Sequence, residues 1–158
     1  ERAEAMHNAA PGAGRPYNAL ERVFVELNIR LVAAVSFTPR PAPAVIAAVR
    51  QALAQSPAGR LAAEDGSIVV RDCVPDPAPV PWATGLAQAL AAELATLRPP
   101  EGPCHASVLV NGMGQAWGVC LNACHVLWDG PEMKAHVQQL LQALDVTCAS
   151  DTASAAPD

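Results

Sequence analysis

Apolar positions along the chain alternate between helical and extended periods. Leu20, Val23, Phe24 and Leu27 recur at helical spacing after Asn18, which offers an N-cap with Glu21 three residues on. From residue 29 to 37 the period changes to two, and Ile29, Leu31, Ala33, Val35 and Phe37 share one face of a strand. The prolines at 39, 41 and 43 are expected to end it, and a helix over residues 43–55 is expected to bury Val45, Ile46, Val49 and Leu53. Residues 60–63 and 67–73 flank Glu64-Asp65-Gly66, a hairpin signal. The proline-rich stretch 74–81 reads as a surface connector. Residues 84–97 read as a helix with Leu86, Leu90, Leu94 and Leu97 inward. A strand over 104–110 meets another over 117–124 across Asn111-Gly112-Met113-Gly114-Gln115. Pro131 suits a first helical position, and Met133, Val137, Leu140, Leu141 and Leu144 then follow as a stripe on one helix face.

This order of helices and strands predicts an α+β class, a mixed β-sheet with helices packed on it. Residues 1–16, with Pro11, Gly12, Gly14 and Pro16, are expected to form a flexible leader, 17–146 one lobe, and 147–158 a disordered tail. The chain begins with Glu, which suggests a processed product or a fragment. No internal repeat is found.

Composition narrows the classes. At 158 residues and 51% hydrophobic, the chain can bury a core. No apolar run is long enough for a membrane span, and the polar N-terminus lacks the apolar segment of a signal peptide. A net charge of −5 without a basic cluster argues against nucleic acid as partner. Five cysteines (Cys73, Cys104, Cys120, Cys124, Cys148) fit a reducing, cytoplasmic setting. Cys120 and Cys124 would lie roughly 13 Å apart on a strand, whereas two thiolates on one zinc lie within about 4 Å. No metal site is therefore expected, and the cysteines read as small core residues.

The most informative segment is Cys124-His125-Val126-Leu127-Trp128-Asp129-Gly130, an H-x-x-x-D-G pattern where an apolar strand stops and a helix begins. With four His, seven Asp and ten Gly, about 0.01 accidental matches are expected. An imidazole there can serve as a general base, since histidine ordinarily titrates near neutral pH. Gly130 is expected to let the backbone turn tightly into the helix, and Asp129 can cap it. Trp128 can pack in the core or wall a channel. His7, His105 and His136 read as non-catalytic, with His136 on the exposed side of its helix.

The segment resembles the chloramphenicol-acetyltransferase-like superfamily, which includes condensation domains of peptide synthetases and alcohol acetyltransferases. The signature there is H-H-x-x-x-D-G. Cys124 stands at its first His, and His125 matches the second, the catalytic one. The resemblance is sharp over residues 119–144. Arg15-Pro16 before Asn18-Ala19-Leu20-Glu21 also resembles the opening of the alcohol-acetyltransferase branch. The resemblance implies a lobe of a condensation-type acyltransferase. His125 would deprotonate a hydroxyl or amine acceptor as it attacks an acyl thioester on coenzyme A or on the phosphopantetheine of a carrier protein. Asp129 would pair with an arginine, Arg15 or Arg22, to hold the motif's shape. No bound cofactor is implied, but a second lobe or subunit is needed to complete the channel. The competing reading is a non-catalytic lobe that binds a carrier or partner.

Overall fold

The computed structural model describes Met6 and residues 9–153, with side chains described through residue 145. Its elements run β1 (Gly14–Pro16), α1 (Ala19–Glu26), β2 (Arg30–Pro41), α2 (Ala42–Gln55), β3 (Leu61–Glu64) and β4 (Ser67–Val70), then β5 (Ala78–Pro81), α3 (Leu86–Ala95), β6 (Gly102–Pro103), β7 (His105–Val110), β8 (Gln115–Cys124) and α4 (Gly130–Ala153). They form an α+β fold with two four-stranded sheets, ordered β1-β4-β3-β6 and β2-β8-β7-β5. Among the described residues no helix is long and apolar enough to cross a membrane.

The larger sheet is built around β8, which pairs antiparallel with β2 on one side and β7 on the other. Strand alternation sorts its side chains. Val119, Leu121 and Ala123 join Ala106 and Val108 of β7 in the main core, with Val45, Val49 and Leu53 of α2 and Leu140 and Leu144 of α4. Cys120 and Leu109 belong to a smaller cluster with Ala89 and Leu86 of α3. Thus α2 and α4 cover one sheet face and α3 lies on the other. Strand β5 runs parallel to β7, which requires a crossover, and α3 supplies it. The β3–β4 hairpin turns through Asp65 (φ 47°) and Gly66 (φ 77°), the left-handed pair that a two-residue turn demands.

Several sequence expectations are corrected. The leader is not wholly loose, because Gly14–Pro16 pairs with β4 and Met6 is buried in the core. Residues 1–5 and His7 lie outside the described residues. Strand β2 continues through Pro39 to Pro41, with its register shifting between Ser36 and Arg40. It is the outer strand of its sheet, and prolines are tolerated at an edge or bulge. The same reason admits Pro79 and Pro81 to β5, inside the predicted connector. Helix α3 ends at Ala95 and turns Ala89 and Glu93 inward, while Leu94 and Leu97 are exposed. The predicted leucine row mixes spacings that drift around the helix. Helix α4 extends to Ala153, seven residues into the predicted tail that starts at 147.

His136 is the largest correction: it is buried, with 1% exposure. It follows Met133 by three residues and precedes Leu140 by four, so helix geometry places it inside the apolar stripe. Its ring meets Trp128 edge-on at 5.1 Å. Burial lowers its pKa to about 4, from an ordinary 6.5. The unfolded chain therefore binds a proton between those values that the folded one refuses, and stability rises with pH across that window before levelling above 6.5. The contribution approaches about 3 kcal/mol. Denaturant titrations from pH 4 to 8 should show this rise. In His136→Leu the component should vanish, and an unchanged slope would refute the assignment.

Candidate active site

The strand-to-helix junction is assembled by backbone hydrogen bonds. The His125 N–H donates to Ile29 O at 2.9 Å, one step past the β2–β8 ladder, and the Leu127 N–H donates to Cys124 O at 3.0 Å. The chain thus leaves the sheet in a tight turn immediately after Cys124. Asp129 and Glu132 then cap α4 reciprocally: Asp129 Oδ1 accepts from the Glu132 N–H at 2.8 Å, and Glu132 Oε2 accepts from the Asp129 N–H at 3.0 Å. This capping box satisfies two donors that a helix start leaves bare.

The junction surrounds a cavity of about 270 Å³ lined by Phe24, His125, Val126, Leu127, Trp128, Asp129 and Glu132. His125 lines this cavity, and its Nδ1 is buried without a hydrogen-bond partner. The ring packs on Phe24, centroid to centroid 5.0 Å at 32°. Orientation of the imidazole therefore rests on the backbone turn and an aromatic contact. Trp128 is packed in the core at 1% exposure and also lines the cavity. Its Nε1 is buried and unpartnered.

The predicted partnership of Asp129 with Arg15 or Arg22 is not formed. Arg15 instead grips the fully buried Glu21 with two hydrogen bonds, Nη1 to Oε2 at 2.8 Å and Nη2 to Oε1 at 2.7 Å. Glu21 also accepts from the Asn18 N–H at 2.8 Å, closing the capping box that starts α1. Arg22 is exposed, and Asp129 is an exposed helix cap. The φ of Gly130 is not positive, and a Cβ there would meet nothing within 4 Å apart from its chain neighbours, of which Pro131 is one.

Behind the junction, β8 is tied to its neighbours by a chain of polar side chains. Arg30 Nε donates to Asn122 Oδ1 at 2.5 Å and Nη1 to Pro99 O at 2.8 Å. Asn122 Nδ2 donates to Glu93 Oε1 at 2.7 Å. Burial alone would raise the Glu93 carboxyl, but hydrogen bonds from Arg98 and Asn122 outweigh it and hold the group below its ordinary value. Cys124 occupies the position before His125 as a buried thiol whose pKa is pushed up by burial. It stays protonated at neutral pH and is unsuited to nucleophilic attack. Phe24 is the residue that sequence reasoning missed, since 101 positions separate it from His125. Glu132 was missed as well, although Asp129-x-x-Glu132 before an apolar stripe is a signal for this cap.

No protein-family model matches the chain, and comparison with curated proteins finds no match. Solved structures do share its fold. The starter condensation domain of the rhizomide synthetase RzmA matches with a TM-score of 0.61 at 18% identity, over 87% of this chain and 39% of that one. The EpoB cyclization-docking bidomain from Sorangium cellulosum matches at 0.58 and 13% identity, over 87% of this chain and 31% of that one. A chloramphenicol acetyltransferase matches at 0.50 and 11% identity, over 85% of this chain and 100% of that one. The fold is therefore that of a chloramphenicol-acetyltransferase-like lobe, of the kind found in condensation domains. The chain spans well under half the length of the condensation-type structures it matches.

Two substitutions separate the junction's structural parts. Gly130→Ala should change stability by less than about 0.5 kcal/mol, because the backbone freedom that alanine removes from the unfolded chain is offset by its Cβ against the ring of Pro131. Glu132→Ala should lower it by about 1 kcal/mol through loss of the cap. Paired thermal melts measure both, and a destabilised Gly130→Ala would show that the glycine is needed after all.

Proposed function

We propose that the chain is one lobe of a condensation-type acyltransferase, with His125 as its general base. The observation that carries this reading is the placement of His125. It directly follows the end of a central strand and lines a cavity, with Nδ1 buried, in a lobe that shares the condensation-domain fold.

In the proposed reaction His125 Nε2 accepts the proton of an acceptor hydroxyl or amine as that group attacks the thioester carbonyl. Collapse of the tetrahedral adduct breaks the carbon–sulfur bond, and the imidazolium returns the proton to the departing thiolate. No acyl-enzyme forms, so the raised pKa of Cys124 is no obstacle. The donor is an acyl thioester of coenzyme A or of a carrier-protein phosphopantetheine, and the acceptor a small alcohol or amine. A cytoplasmic location suits such donors. The cavity is walled by α1, the motif turn and the start of α4, and a second lobe or subunit would supply the facing wall.

A second reading, that the lobe binds a carrier or partner without catalysis, is favoured by one observation. Asp129 is a solvent-exposed helix cap rather than the partner of an arginine that braces the motif. Thiol release from acetyl- and octanoyl-coenzyme A, with a panel of alcohols and amines, separates the readings. Acyl transfer predicts acceptor-dependent release that falls about 10²–10⁴-fold in His125→Ala. A rate that the His125→Ala protein shares would leave the binding role standing.

A further inference from the structure

A second cavity, of about 390 Å³, lies between α3 and the sheet face it covers, and has no lining residue in common with the His125 cavity. Trp82, Leu109, Cys120 and Ala92 give it apolar walls. Its polar groups are His105, Ser107, Glu93 and Arg98. His105 and Ser107 sit two residues apart on β7 and so share a face, and His105 Nε2 lies 3.1 Å from Ser107 Oγ. Arg98 donates from Nε at 2.9 Å and Nη2 at 3.0 Å to Glu93, while Nη1 donates to no group among the described residues.

The charges select one kind of ligand. Arg98 and Glu93 cancel as a bidentate pair, and Arg30, bonded to Asn122 behind them, leaves the cluster with one net positive charge. Burial, followed by the nearby Arg98, lowers the His105 pKa, so that ring is neutral at pH 7. A single negative charge is matched there, whereas the Glu93 carboxylate opposes a dianion. The volume falls within the range of small-molecule sites.

We propose that this cavity binds a small organic monocarboxylate. Its carboxylate lies against Arg98 Nη1 and the Ser107–His105 pair, and its apolar body lies along Trp82, Leu109 and Ala92. The site is independent of the acyl-transfer reading, because none of these groups reaches the His125 cavity.

Isothermal titration with sodium octanoate, and with 1-octanol as its neutral counterpart, tests the assignment. The expected result is saturable one-to-one binding of octanoate, at least about tenfold tighter than octanol because the charge-assisted bonds need an anion. Ala92→Trp, which fills the cavity, should abolish it, and Ser107→Ala should weaken it severalfold even if the bulkier variant fails to fold. His125→Ala should leave it unchanged. Absence of saturable heat, equal affinity for octanol, or octanoate binding untouched by Ser107→Ala would overturn the proposal.

Discussion

The double ladder that holds β8 between β2 and β7 is the constraint on which the other features depend. It sets where β8 ends, pairing Arg30 with Cys124 and His105 with Asn122. Both faces of β8 are packed, so a shift of one residue would exchange the α2–α4 core with the α3 cluster. That register also places His125 beyond the last pair, held by a single backbone bond to Ile29. His125 is consequently anchored to the chain entering β2, at the start of the turn by which the backbone leaves β8.

Around that strand end the two sheet faces serve different purposes. The α2–α4 side is an apolar core that accommodates even His136 as a neutral ring. The α3 side carries the polar chain Arg30–Asn122–Glu93–Arg98, with Asn122 and Glu93 buried and the two arginines half-buried. Glu93 is the buried charge of this chain, and Arg98 and Asn122 answer it with hydrogen bonds. The polar side thus fixes β2, β8 and α3 relative to one another through directional bonds, which apolar packing does less specifically.

Helix α1 joins the site to the surface. Its Glu21 is locked by Arg15 and the Asn18 cap, and its Phe24 rests on His125. The remaining members of its apolar stripe, Leu20, Val23 and Leu27, are exposed at 50%, 43% and 67%. The apolar row of α1 is thus turned outward beside the cavity that its Phe24 lines.

Much of this was legible along the chain. Local periodicity located α1, α2, the β3–β4 hairpin, the β7–β8 pair and α4, and the H-x-x-x-D-G pattern marked the junction. These features are encoded by residues three or four apart in a helix or alternating in a strand, and no distant partner is needed to express them. Sheet order and contacts between distant residues were not legible. Edge position let prolines into β2 and β5, the pairing of Arg15 with Glu21 left Asp129 to cap α4, and Phe24 met His125 across 101 positions. The sequence by itself determined which segments are helix or strand and where the candidate base falls. Only the tertiary structure decided which faces are buried and which charges meet, because burial and ion pairing depend on what the rest of the chain brings near.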